Sequence, residues 1–361
     1  MAARPGGKSI GKESAGLLRA VGPIRLRLLR WFDRNNRDLP WRAKRGRTVD
    51  PYRILLSELM LQQTQVATVI PYYLRFVAAY PTLADLAAAD EQAVLRLWQG
   101  LGYYSRARNL LAAARQIVAR HAGRLPSKME DLIALPGVGR YTAGAVGSIA
   151  LGLRVPVVDG NVRRVLCRLD GIESDPAGSA VRERLWARAE RLVPARRPGD
   201  FNSALMELGA TVCRPRNPDC PACPLEGLCL ARRRRLTDLI PRPAKRRHRP
   251  TERRMVLCVR DAEGRYLVEQ RPRDGRWAGM WQFITRPAGR PPPAARQIAQ
   301  LSHDLTHRRY RFEVYLCDHQ EFPRDSSANG GAAEFLSLTQ IESRPMPRPH
   351  VKIARMLSGL G

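Results

Sequence analysis

Four cysteines crowd into seventeen residues, Cys213, Cys220, Cys223 and Cys229, with the spacing C-x6-C-x2-C-x5-C. Thiolates so placed can converge on a metal centre from one compact loop. Zinc bound by four cysteines is common, but zinc ribbons usually pair two CxxC knuckles, and one CxxC flanked by single cysteines is closer to iron–sulfur ligation. The other chemistry-bearing side chains are acids. Asp159 stands in VVDGNVRR, between an apolar run and a glycine, where an acid can protrude into a cleft or cap a helix. Glu58, in SELMLQQTQV, reads by itself as an exposed helical glutamate, although Leu55, Leu59, Met60 and Leu61 can supply an apolar wall that raises its pKa. Leu135-Pro136-Gly137-Val138-Gly139 is a glycine turn that can present backbone N–H groups to a DNA phosphate, or simply join two helices.

Residues 22–230 show helical patterning with short Pro- and Gly-marked loops and no strand-like alternation. Asp50-Pro51 predicts an N-cap and first helical position ahead of an amphipathic run through Leu55, Leu59 and Val66. Ser127 and Glu130 predict a capping box, and Gly100, Gly102 and Gly123 predict helix stops. A basic, Pro-containing segment over 232–252 predicts a linker. Beyond it, MVLCV, YLVEQ and YRFEVYLC predict strands, with a turn at Asp261–Gly264 and a closing helix over 350–357. The expected organisation is a basic arm (1–20), a mainly α domain (21–231) carrying the cysteine loop (213–229), the linker, and a smaller α+β domain (253–361).

Over 361 residues, 62 Lys and Arg outnumber 33 Asp and Glu, for a net charge of +29. An excess spread through folded-looking sequence points to a polyanion, nucleic acid foremost, although a generally arginine-rich composition accounts for part of it. No stretch approaches the length of a membrane span and the N-terminus lacks a signal-peptide apolar core, so the expectation is a soluble, intracellular protein. In that compartment the clustered cysteines argue for metal ligation over disulfides.

A glycine hairpin, an aspartate about twenty residues later and a four-cysteine loop, in this order, resemble the endonuclease III superfamily of helix–hairpin–helix base-excision glycosylases. Leu39-Pro40-Trp41-Arg42 and Ser57–Val66 narrow the resemblance, which covers about residues 25–355, to the MutY-type adenine glycosylases. It implies a 4Fe-4S cluster on the four cysteines, and duplex DNA with adenine opposite 8-oxoguanine or guanine as substrate, bound by a monomer. Glu58 is then the acid that protonates the leaving adenine, Asp159 stabilises the sugar cation, and Tyr141 and Asn161 hydrogen-bond within the site. Tyr141 occupies the position where bifunctional relatives carry a Schiff-base lysine, which implies a monofunctional hydrolase. Trp41 and Arg42 match the adenine pocket. Gln63, Leu101 and Tyr103 match intercalating positions, and Pro136, Gly137, Val138 and Gly139 the hairpin. Ser203 departs from the family's Glu or Gln.

The second domain resembles Nudix hydrolases in fold, but Gly289–Leu301, where magnesium-binding glutamates would lie, has no acidic residue, so phosphohydrolase activity is not expected. The family's Phe-Ser-His loop for 8-oxoguanine is best matched by Leu305-Thr306-His307, which keeps the hydroxyl and loses the aromatic; LSHD at 301–304 is another alignment. Two competing readings are a bifunctional endonuclease III-type glycosylase and a non-catalytic, cluster-bearing DNA-binding protein. Tyr141 and the second domain argue against the former, and the pairing of Glu58 with Asp159 against the latter.

Overall fold

The computed structural model describes residues 21–42, 49–242, 248–322 and 332–359. The arm expected over residues 1–20 and part of the linker, 243–247, lie outside them. The chain forms two compact units, neither continuous in sequence: residues up to 62 with 119–245, and residues 63–118 with 246 onward.

In the first unit, Asp50 caps α2 (Pro51–Leu61) by accepting the Tyr52 N–H at 2.9 Å, with Pro51 at the position where a missing N–H costs nothing. The helix stops before Val66, which opens the next one, because the chain turns at Gln63 with φ +58. Around α2 lie α1 (Val21–Asn35), α7 (Met129–Ile133), α8 (Arg140–Ile149), α9 (Gly160–Leu169), α10 (Ser179–Leu192), α11 (Pro198–Thr211) and α12 (Leu230–Arg233). The expected capping box at Ser127 does not form. Helix α7 begins one residue later, with Lys128 as an N-cap that makes no side-chain cap, so Glu130 falls too early to reach back. Ile24, Leu28, Val165, Leu166, Phe201 and Leu205 share one buried core, which fixes α1, α9 and α11 against each other.

Two glycines set the close approaches on which the acids depend. A Cβ at Gly144 in α8 would lie 2.4 Å from the Pro156 carbonyl oxygen, and one at Gly209 in α11 would lie 2.6 Å from the Asn161 Cβ. Gly144 thus lets the Pro156–Asp159 segment lie against α8. Gly144→Ala is expected to cost about 1–3 kcal/mol, measured by urea unfolding, and to displace Asp159. Unfolding at the wild-type midpoint would contradict this.

In the second unit, α3 (Val66–Ala79), α4 (Leu83–Ala88), α5 (Glu91–Trp98) and most of α6 (Ser105–His121) accompany a six-stranded mixed sheet. The predicted stops at Gly100 and Gly123 hold, with φ of +108 and +74, whereas Gly102, at φ +74, lies in the loop between α5 and α6 and ends no helix. Strands β1 (Thr251–Arg260), β2 (Tyr266–Gln270), β3 (Trp281–Pro287), β4 (Arg296–Asp304), β5 (Arg309–Asp318) and β6 (Ala333–Leu336) lie in the order β4-β5-β1-β3-β2-β6. Among the described residues only β1 and β5 pair in parallel, with Met255 opposite Glu313. Val256, Val268, Phe283 and Phe312 form a core with Ile353 and Leu357 of α14 (Arg348–Ser358), and α13 (Leu338–Ser343) contributes Ile341. The opposite face carries a smaller cluster around Leu257 and Ile284. The acid-free stretch ends in edge strand β4.

Candidate active site

Glu58 projects from α2 and is 5 % exposed, so the exposed-glutamate reading of the bare sequence does not hold. Burial pushes its pKa up to about 7; the Tyr141 hydroxyl, donating to Oε2, opposes this, the Asp159 carboxylate reinforces it, and Arg42 opposes it. Tyr141, in the first turn of α8, also meets Met206 Sδ at 3.8 Å, and burial beside the two acids holds its phenol firmly protonated. Packing of α2 on α8 therefore brings together three side chains spread over a hundred positions of sequence.

Asp159 takes the helix-capping role its context allowed. It caps α9, with Oδ1 accepting the Val162 N–H at 2.6 Å, while Oδ2 accepts from Asn161 Nδ2 at 2.9 Å. Burial raises its pKa, and these bonds with the Arg164 charge pull it back. Asn161 is itself oriented by Arg164, whose Nη2 donates to Asn161 Oδ1 at 2.8 Å and to the Gly209 carbonyl at 2.7 Å, and whose Nε donates to the Cys213 carbonyl at 2.7 Å. A continuous chain of hydrogen bonds thus runs from the cysteine loop to the carboxylate. Arg164 went unnoticed in the sequence because one arginine in so basic a chain carries no mark.

Trp41 is buried, and Arg42 is fixed by Glu207, which is 1 % exposed: Arg42 Nη2 lies 2.6 Å from Oε2 and Arg37 Nε lies 2.6 Å from Oε1. The paired guanidiniums hold the Glu207 carboxyl below its ordinary range against the burial that would raise it. Glu207, four residues after Ser203 in α11, was missed; its only signal was an acid on a helix otherwise apolar around it.

In the hairpin, Gly137 takes φ +75, Val138 is buried with its N–H on the Leu135 carbonyl at 3.1 Å, and Gly139 is the N-cap of α8 without a side-chain cap. Pro136 is half-buried beside them. In the second unit, Gln63 and Tyr103 are exposed and both adopt positive φ, +58 and +49, a conformation uncommon for non-glycine residues. Leu101 is buried. The Tyr103 hydroxyl joins Gln63 Oε1 and Thr306 Oγ1. Thr306 and His307 are exposed in the turn between β4 and β5, closed by the Leu305 N–H on the Arg308 carbonyl.

Cys213, Cys220, Cys223 and Cys229 line one cavity with Arg168 and Arg232. Arg168 Nη1 lies 3.4 Å from Cys213 Sγ, and its other donors hold the Arg214 and Pro215 carbonyls of the loop and the Ile240 carbonyl beyond it. Among the described residues no three His, Cys, Asp or Glu side chains are gathered closely enough for a single ion. Four thiols around one cavity, with cationic Arg168 against one sulfur, are a donor set for a larger, anionic group.

Residues 56–191 match the family described as HhH-GPD superfamily base excision DNA repair protein, and residues 255–356 match the NUDIX domain. The chain is 40% identical over 366 residues to the adenine DNA glycosylase of Homo sapiens, covering 82% of this chain and 67% of that one. With the adenine DNA glycosylase of Mus musculus it shares 38% identity, over 93% of this chain and 78% of the other. The chain belongs to the adenine DNA glycosylase family. A thermostable thymine-DNA glycosylase superposes with TM-score 0.52 at 32% identity, over 60% of this chain and 99% of its own. An endonuclease III in a trapped DNA covalent intermediate gives 0.51 at 24%, over 61% and 98%, a likeness of fold. For an adenine DNA glycosylase family member, the two matched segments divide the candidate residues: 56–191 holds Glu58, Tyr141, Asp159 and Asn161, and 255–356 holds Thr306 and His307. Among the described residues no helix is long and apolar enough to cross a membrane.

Proposed function

We propose that the protein is a monofunctional glycosylase of base-excision repair that hydrolyses the N-glycosidic bond of adenine mispaired with 8-oxoguanine or guanine in duplex DNA. The observation that carries this reading is the buried Glu58 carboxyl, pushed up to about 7 and so present as an acid at neutral pH, beside the second carboxyl of Asp159. Such a pair divides the work of glycoside cleavage. Glu58 gives its proton to a ring nitrogen of adenine, the C1′–N9 bond breaks, and adenine leaves neutral. The Asp159 carboxylate, oriented by Asn161, stands against the positive charge left on the sugar. Water then adds to C1′ as Glu58, now ionised and held by the Tyr141 hydroxyl, takes back a proton.

A phenol cannot form a Schiff base, so the strand is left intact at an abasic site. Adenine must be swung out of the duplex to reach this site. Gln63 and Tyr103 fill the gap, Trp41 and Arg42 bind the base, the hairpin 136–139 holds a phosphate, and Thr306 and His307 read the opposite base. Cys213, Cys220, Cys223 and Cys229 hold a 4Fe-4S cluster, which when bound supplies a structural anchor for their basic loop. The protein acts as a monomer.

The test is a duplex with one adenine opposite 8-oxoguanine, incubated with the protein and then treated with or without hot alkali. Strand breaks only after alkali are expected. Breaks without alkali would instead support a lyase, and no breaks in either arm would remove the activity.

A further inference from the structure

The second compact unit contains a cavity of about 440 Å3 whose lining includes Tyr103, Arg108, Arg276, Trp277, Thr306 and His307. Tyr103, Thr306 and His307 belong to the cluster at the β4–β5 turn. Arg276 and Trp277 do not: they come from the β2–β3 loop, residues 271–280. The loop is held in one shape by its own bonds, Arg271 Nε to the Arg276 carbonyl at 2.8 Å, the Gly279 N–H to the Pro272 carbonyl at 3.0 Å, and the Met280 N–H to the Trp277 carbonyl at 3.1 Å. Arg108 Nη1 adds a bond to the Ala278 carbonyl at 2.7 Å. Within this frame Trp277 takes φ +54, a backbone conformation unfavourable for so large a side chain and maintained only where the surroundings impose it. Its ring stands 5.5 Å from that of Tyr310 and 6.0 Å from that of His303.

Arg276 lies over the Tyr310 ring at 5.1 Å and places Nη2 2.8 Å from His307 Nε2. A guanidinium has donors only, so Nε2 is the acceptor in this bond and the ring proton resides on Nδ1. His307 is thereby fixed as an Nδ1–H donor beside the Thr306 hydroxyl. Leu305, the residue before them, offers no aromatic face; Trp277 offers one on the same cavity.

We propose that Arg276 and Trp277 complete the specificity site for the base opposite the target adenine, Trp277 as its aromatic wall and Arg276 as the positioning residue that sets the His307 donor. The proposal rests on the adenine-glycosylase reading above. The ligand it implies is a purine with an acceptor at C8. The C8 carbonyl of 8-oxoguanine is such an acceptor, and guanine lacks it.

The test compares single-turnover adenine excision opposite 8-oxoguanine and opposite guanine. In Arg276→Gln and Trp277→Leu the ratio of the two rates is expected to fall about tenfold, the loss of one good contact, and Trp277→Phe should recover most of it. Arg276→Gln added to His307→Ala should lower the ratio no further than His307→Ala alone. A merely structural role would slow both substrates in step, so an unchanged ratio with both rates reduced, or no change at all, overturns the proposal. If melting shows Arg276→Gln or Trp277→Leu unfolded, Arg276→Lys and Trp277→Met carry the test, a smaller fall supporting it and a wild-type ratio overturning it. Failure of the wild-type protein to excise adenine from either duplex overturns the glycosylase reading itself and this proposal with it.

Discussion

Replacing Glu58 with Gln is expected to abolish adenine excision and, at pH 8, to make the protein more stable. The catalytic loss should reach about 10³-fold or more, within the range for a positioned acid and base. The stability gain comes from linkage. The Glu58 pKa is raised from 4.5 to about 7 in the folded state, so the ionised form is disfavoured by folding. Below pH 4.5 the group is protonated folded or unfolded and imposes no cost; the cost grows between pH 4.5 and 7 and is fully present above, at about 3 kcal/mol. A glutamine amide cannot ionise, so urea unfolding of the Glu58→Gln protein should exceed wild type at pH 8 and nearly match it at pH 4.5. Equal stability at both pH values would show that the carboxyl is not held out of water.

Arg164→Gln is the second large effect. The guanidinium satisfies the Cys213 and Gly209 carbonyls and Asn161 Oδ1 at once, and removing it leaves buried acceptors unpaired, a loss of about 3–5 kcal/mol. Asn161 would lose its orientation and with it the bond to Asp159, so excision is expected to fall about a hundredfold, measured under single-turnover conditions alongside thermal melting. Arg164→Lys should recover charge but not the fork of donors, leaving activity between the two. A melting temperature lowered with excision at the wild-type rate would separate the cysteine loop from the reaction.

Local signals in the sequence were legible. The Asp50-Pro51 cap, the stops at Gly100 and Gly123, and three strands with strong apolar runs are dictated within a few residues. Most of the failures share a cause, in that partners distant in sequence decide them. Strand β4 reads weakly because it is a half-exposed edge strand, and β3 and β6 take their pairing from the sheet. The Ser127 cap fails by one residue of helix start. Glu58 illustrates the point best at the site: its motif marks it by resemblance, yet its chemistry arises from burial and from Tyr141 and Asp159, set by how α2, α8 and α9 pack. Glu207 and Arg164 are ordinary letters until the fold buries them against their partners.

The central claim is that Glu58 is a buried acid restrained by Tyr141. The pH profile of single-turnover adenine release, followed as free base from an adenine:8-oxoguanine duplex, tests it most directly. In the wild-type protein the rate should fall on the alkaline side with a midpoint near 7, as Glu58 loses its proton. Tyr141→Phe removes the hydrogen bond that favours the carboxylate, so its alkaline limb should move to higher pH. A rate that is flat from pH 6 to 9, or a limb that stays in place in Tyr141→Phe, would contradict the account.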